Sequence, residues 1–335
     1  MEKRITDRFN QKILDQALEL YGISPEDVQS MDGFESYIYA ITRGDKESIL
    51  RIAHSIRRSP NLIRGELDWI NYLYSGGAGV ARALPSENNR WVEEIEDGAG
   101  GYFLATVFEK ARGDIHREPL LPDDLLWEYG NQVGQMHKLT TAYQPSDPSW
   151  KRPDWDDPIH LEVQQFIPPQ DQNIKDIYRD LIAKIRSLPV ERDAYGLIHR
   201  DAHRGNFFVD ENGNITLFDF DDSSYSWFVE DIALVLFYAV MGQENPVEFT
   251  ENFLKSFLPG YFSAYSLDLK WFREIPLFIK LRELDLYAVI HRSFDVANLE
   301  DPWCIWYLDG RKHRIEEGIL FLDFDFENFP WDSFR

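Results

Sequence analysis

Between residues 196 and 222 the chain concentrates side chains that can do chemistry. The run reads Gly196-Leu-Ile-His199-Arg-Asp201-Ala-His203-Arg-Gly-Asn206-Phe-Phe-Val209, followed by Thr216-Leu-Phe-Asp219-Phe-Asp221-Asp222. An Asp, an Asn five positions later and a second Asp just past a turn put three oxygen-bearing groups in reach of one cleft. Asn206 and Asp219 suit a hard cation such as Mg2+, which takes oxygen ligands and keeps positions for phosphate. Asp201, beside them, is placed to accept a proton from a hydroxyl. A base, an Asn and a metal-binding Asp are the parts that phosphoryl transfer to an alcohol needs. From Val209 to Asp231 there are seven acids and no Lys or Arg. A solvated loop usually mixes signs, so a metal site explains this imbalance better.

Those groups need elements to position them. Apolar spacing predicts a helix over 10–21, with Ile13, Leu14, Ala17, Leu18 and Tyr21 on one side. Strands are expected over 28–32, 36–42 and 47–53, joined by turns at 33–35 and 43–46. Pro60 opens a helix to about residue 75, and Gly76-Gly77 closes it. Further strands are expected over 91–95 and 102–107. Helices over 122–139 and 173–188 flank an irregular stretch, 144–171, rich in Pro, Asp and Trp. Apolar runs at 207–209 and 215–218 flank Asp210-Glu-Asn-Gly-Asn214, a hairpin turn. After Phe228 the pattern is helical to about residue 320, with interruptions expected at Gly260 and Pro276. Sheet first and helices later predicts an α+β chain of two lobes, 1–108 and 109–335.

Composition removes several functions. The chain has 335 residues, 44% hydrophobic and 28% charged, which is globular and not disordered. With 35 Lys and Arg against 58 Asp and Glu, the net charge is −23. Such a chain repels nucleic-acid phosphates and anionic membranes, and accommodates a cationic ligand or an anion arriving with Mg2+. One cysteine, Cys304, excludes an intrachain disulfide and a Cys-based zinc site. The first ten residues carry charges throughout, and no run of about 18 apolar residues occurs, so a cytoplasmic protein is expected. There is no G-x-x-x-x-G-K-[ST], which excludes a P-loop kinase, and Gly33 is the only glycine of its hairpin, so no protein-kinase G-x-G-x-x-G stands there.

His199-Arg200-Asp201 with Asn206, and then Asp219, match the protein-kinase set H-R-D-x-x-x-x-N and D-F-G in spacing. Asp221 in place of the glycine, and His203, point instead to the aminoglycoside phosphotransferase and choline kinase superfamily, which the chain resembles over roughly residues 28–240. Gly33-Phe34-Glu35-Ser36-Tyr37-Ile38-Tyr39 is similar to the hairpin that covers the nucleotide there, which implies roles for Gly33 and Ser36. Arg51 stands where the family has its strand lysine, and Glu66 where the family has its helix Glu. Val133-Gly134-Gln-Met-His137-Lys-Leu139 and Glu230-Asp231-Ile-Ala233 resemble two further family segments. The resemblance implies a bilobal, protein-kinase-like fold, with a small β-rich lobe and a larger helical one. It gives Asp201 the role of base, Asn206 and Asp219 that of Mg2+ ligands, and Arg51 with Glu66 that of phosphate binders. Phe103, Val107 and Phe108, with the backbone of Phe108 to Lys110, become the adenine pocket. His199 and His137 become packing residues.

The expected activity is transfer of the γ-phosphoryl group of ATP, or GTP, to a hydroxyl of a small molecule. An acceptor bearing an amine is expected from the acid-rich C-terminal part, with Glu283, Asp285, Asp295 and Asp323 to Glu327 as weak contact candidates. A bacterial Ser/Thr protein kinase, a homoserine-kinase-like enzyme and a kinase-like binding or structural protein remain alternatives.

Overall fold

The computed structural model describes residues 3–33, 35–118 and 120–335, so Phe34 of the expected covering hairpin lies outside the described residues. In chain order the elements are Lys3–Thr6 (α1), Gln11–Leu20 (α2), Val28–Met31 (β1), Tyr37–Arg43 (β2), Lys46–His54 (β3), Pro60–Ser75 (α3), Ala83–Leu84 (β4), Glu93–Glu96 (β5) and Tyr102–Glu109 (β6). Then come Asp123–Thr140 (α4), Pro158–Leu161 (α5), Gln172–Arg186 (α6), Tyr195–Ile198 (β7), Phe207–Val209 (β8), Ile215–Leu217 (β9) and Ser224–Trp227 (β10). Phe228–Val240 (α7), Pro246–Ala264 (α8), Ile275–Ser293 (α9), Pro302–Leu308 (α10) and Arg311–Glu316 (α11) complete the chain. Two compact units result. One comprises the residues through Ile115 with Ala142–Arg152 and Phe207–Asp221; the other comprises His116–Thr141, Pro153–Asn206 and Asp222–Arg335.

The first unit is built on an antiparallel sheet of order β1-β2-β3-β6-β4, with β5 also on β6. Alternation decides what each strand offers. Leu50 and Ile52 join Tyr39, Ile41, Phe103, Ala105 and Val107 in a core closed by Ile13, Ala17 and Leu18 of α2. Arg51, between Leu50 and Ile52, therefore points to the opposite face. The helix over 60–75 forms with the expected bounds because Ser59 caps it, accepting from the Leu62 N–H, and Pro60 fits its first turn. The expected strand over 91–95 forms two residues later as β5, and Trp91 is left exposed. The two-residue β4 carried no period to detect.

In the second unit α4 packs against α8 at a distance that only glycine permits. A Cβ on Gly130 would lie 2.0 Å from the Phe257 carbonyl oxygen, and one on Gly260 would lie 1.8 Å from that of Trp127. Gly260 therefore serves close packing inside α8 and does not interrupt it, contrary to expectation. Pro276 sits in the first turn of α9, where a proline is tolerated. The β7–β10 pair was not expected, since four residues in each strand give little alternation to read. Its register, from Ser224 opposite Ile198 to Trp227 opposite Tyr195, delivers the chain into His199. The α7 helix is buried on nearly all sides. Among the described residues no helix is long and apolar enough to cross a membrane.

Candidate active site

In the first unit, Arg51 of β3 meets Glu66 of α3 as a two-pronged pair, Nη1 to Oε1 at 2.8 Å and Nη2 to Oε2 at 2.7 Å. Glu66 is fully buried and Arg51 is 7% exposed. Burial opposes the guanidinium charge, but Glu66 holds it, with Asp221 and Asp219 adding to the effect. Among the described residues Arg51 Nε is buried without a hydrogen-bond partner. The guanidinium carbon lies 5.0 Å from the centre of the Phe108 ring. Phe108 thus supports Arg51 from β6, a contact its adenine-pocket assignment had not foreseen.

The end of β6 is more occupied than expected. The Glu109 N–H donates to the Arg82 carbonyl at 2.9 Å, and the Lys110 N–H donates to that of Glu47 at 3.3 Å. The Lys110 ammonium pairs with Glu47 Oε1 at 2.7 Å. Lys110 is therefore engaged along the sheet edge through both its backbone N–H and its side chain.

Gly33 precedes β2, and a Cβ there would fall 2.2 Å from the Ser36 carbonyl oxygen. This close approach requires glycine. Glu35 of the same turn pairs with Arg57. Ser36 is half-buried beside it. Asp219 follows β9 and has φ +65°, a left-handed conformation uncommon outside glycine. Its neighbour Asp221 accepts from Arg58 Nε at 3.0 Å and Nη2 at 2.9 Å, while Arg152 Nη2 reaches the Asp221 carbonyl at 2.5 Å. Burial would raise the Asp221 carboxyl, but Arg58, Arg51 and Arg152 hold it well below the ordinary range. Asp221, Arg58 and Arg152 form a clamp that the sequence had not assigned.

In the second unit the run from His199 to Asn206 is pinned from below by Asp231, at the start of α7. Asp231 Oδ2 accepts from the His199 N–H at 3.0 Å and lies 3.2 Å from His137 Nε2; Oδ1 accepts from the Arg200 N–H at 2.7 Å. Burial raises this carboxyl, yet the His137 hydrogen bond and the charges around it bring it below the ordinary value. Arg200 has φ +66°, and its Nε donates to Glu230 at 3.1 Å. The strained backbone before Asp201 is thus held by two acids. His199 Nδ1 accepts from the Asp201 N–H at 3.3 Å, and His137 also lies 2.9 Å from the Tyr261 hydroxyl. Both histidines take the packing roles expected of them. We expect Asp231→Asn to turn an amide toward N–H donors, lower stability by about 1.5–3 kcal/mol in urea unfolding, and reduce turnover with it.

Asn206 Nδ2 donates to the Asp201 carbonyl at 2.9 Å and to its Oδ2 at 3.0 Å. The amide nitrogen is turned to Asp201, which leaves the Asn206 oxygen as the group to offer a cation. Burial pushes the Asp201 carboxyl up to about 6, with Arg282 drawing it down. Arg282 of α9 donates from Nη2 to Asp201 Oδ1 at 2.5 Å. His203 Nε2 lies 3.5 Å from Asp201 Oδ2, and burial and then Arg282 push His203 down to about 4, so it is neutral. The structure thus groups Arg51, Glu66 and Phe108 in one unit and Asp201 and Asn206 in the other. Asp219 belongs to the first unit. Among the described residues no three His, Cys, Asp or Glu side chains are grouped to hold a metal.

Five of the acids considered for a cationic acceptor have protein partners. Glu283 pairs with Lys280 and Arg311, each at 2.8 Å, and Asp285 accepts from the Tyr178 hydroxyl at 2.7 Å. Asp295 caps a turn through the Ala297 N–H, Asp325 holds Asn328, and Glu327 lies 3.5 Å from Arg273.

The family model described as the phosphotransferase enzyme family matches residues 30–274. The amicoumacin kinase of Bacillus subtilis (strain 168) is 38% identical over 320 residues, covering 94% of this chain and 95% of that protein. A solved amicoumacin kinase in complex with AMP-PNP, Ca2+ and Ami superposes with a TM-score of 0.92 at 36% identity, over 97% of this chain and 99% of that one. Spectinomycin phosphotransferase shares the fold, with a TM-score of 0.60 at 15% identity over 92% and 97% of the two chains. The chain belongs to the phosphotransferase enzyme family and is a kinase that moves the γ-phosphoryl group of ATP to a hydroxyl of a small molecule with a divalent metal.

Proposed function

We propose that the acceptor is an amicoumacin-type antibiotic and that Asp201 is the base that receives its hydroxyl proton. The observation that carries the acceptor is the 38% identity to an amicoumacin kinase along nearly the whole of both chains. Asn206 and Asp219 would hold Mg2+, an ion that keeps few protein ligands and completes its shell with phosphate and water. The absence of a three-acid cage among the described residues and the orientation of the Asn206 amide suit such a set. The ion would neutralise charge on the phosphates. Arg51, held by Glu66 and Phe108, would present its charge to those phosphates, with the turn at Gly33 and Ser36 closing over them and the end of β6 from Phe108 to Lys110 beside the base. Residues 1–108 would thus act as the nucleotide lobe, and 109–335 as the lobe of catalysis and acceptor binding. The site of action is the cytoplasm, where ATP and Mg2+ are supplied.

Purified protein with amicoumacin, ATP and Mg2+ tests this reading. We expect an antibiotic product heavier by one phosphoryl group, formed with one ADP per product. ATP consumed with the antibiotic unchanged, or preferential phosphorylation of a different acceptor in a competition, would overturn the acceptor.

A further inference from the structure

The two oxygens of Asp201 have different surroundings. Oδ2 faces the Asn206 amide at 3.0 Å and His203 Nε2 at 3.5 Å. Oδ1 receives a permanent cation, Arg282, at 2.5 Å. Arg282 is itself fixed by Tyr238. Its Nε donates to the Tyr238 hydroxyl at 2.9 Å, and its guanidinium carbon stands 5.2 Å from the ring centre. His203 packs on the same ring, with centroids 4.6 Å apart and planes at 63°. The neighbouring acids on α9, Glu283 and Asp285, close on protein partners away from the base. Arg282 closes on the base itself, and its side chain keeps 17% exposure beside the 19% of Asp201. Its Nε and Nη2 are engaged, while Nη1 makes no hydrogen bond to the described residues.

These positions constrain what can react. A hydroxyl that gives its proton to Asp201 must reach one of the two oxygens. At Oδ1 it must share or displace Arg282, and it then lies against a guanidinium edge with donors to offer. An oxygen on the atom next to the reacting carbon would meet those donors, whereas an ammonium there would meet a like charge. We propose that Arg282, resting on the phosphotransferase reading above, guards Asp201 Oδ1 and selects acceptors that carry an oxygen acceptor, such as a carbonyl or a second hydroxyl, beside the reacting hydroxyl. Any amine of the acceptor then lies away from the reacting carbon. Arg282 is a specificity and positioning residue, and water meets the same guard at Oδ1 as the acceptor does.

Steady-state kinetics of the wild type, Arg282→Met, Arg282→Lys and Tyr238→Phe test this. With amicoumacin as the probe, Arg282→Met should raise the acceptor KM about 10–100-fold, the loss of one charge-assisted hydrogen bond, and leave the ATP KM within about twofold. Arg282→Lys should recover part of that loss, because it keeps the charge but not the fork. Tyr238→Phe should raise the acceptor KM less than Arg282→Met does. ATP hydrolysis without any acceptor should increase in Arg282→Met, because Oδ1 is opened to water. A reduced kcat at an unchanged acceptor KM would overturn the selection role, and hydrolysis no faster than wild type would overturn the guard. Hydrolysis needs no acceptor. Wild-type inactivity toward amicoumacin therefore counts against the proposed function, while the hydrolysis assay still decides the guard. Should Arg282→Met fail to fold, Arg282→Lys and Tyr238→Phe carry the same comparison.

Discussion

Asp201→Asn is expected to lower kcat on the order of 10²–10⁴-fold, the range for removing a general base, with nucleotide affinity nearly unchanged. The substitution keeps shape and polarity, and the Asn206 amide retains the backbone carbonyl at position 201 as a partner at 2.9 Å. What would be lost, on the proposed reading, is the charge that receives the hydroxyl proton. Phosphoryl transfer depends mostly on positioning and electrostatics, so the defect falls on the transition state and not on ATP binding. Asp219→Asn should behave differently and weaken Mg2+-nucleotide binding itself. Rapid-quench kinetics on Asp201→Asn and calorimetry on Asp219→Asn separate the two. Full turnover in Asp201→Asn would sink the base assignment.

Much of this arrangement was legible because its signals are local. The paired motif from Asp201 to Asp219 brackets a single hairpin in one short stretch of sequence. Arg51 was singled out by its place where the resembling family has its strand lysine, and Pro60 marked the start of the helix that brings Glu66. The residues that the sequence did not reveal act through distant partners. Arg282 reaches Asp201 across 81 positions, and nothing near Arg282 distinguishes it from a solvated helix charge. Glu283 and Asp285 were offered as weak contacts for a cationic acceptor because their partners Arg311 and Tyr178 lie 28 and 107 positions away. The clamp of Asp221 by Arg58 spans 163 positions, so the third residue of Asp219-Phe-Asp221 could be recognised as unusual but not explained. Gly260 was misread as a break because a helix-packing glycine and a helix-ending glycine look alike without the partner helix.

Arg51 departs from the lysine that the family resemblance led us to expect, and the pair with Glu66 shows why the choice matters. Two parallel bonds at 2.7 and 2.8 Å use the fork of the guanidinium, which a lysine has no geometry to match. Both partners are buried, so removing one strands the other. Glu66→Ala should cost about 3–5 kcal/mol of stability, because it leaves an uncompensated guanidinium beneath the sheet. Arg51→Met together with Glu66→Gln removes both charges and should recover most of that loss, since exchanging a buried pair for neutral groups is often near neutral. Nucleotide binding should not recover with it. Without a cation on β3, Mg2+-ATP affinity should fall on the order of tenfold or more, the worth of a charge-assisted contact to phosphate. Urea unfolding and calorimetry on the same three proteins read the two quantities independently. Wild-type ATP affinity in the stable double variant would show that the pair holds β3 to α3 and takes no part in binding phosphate.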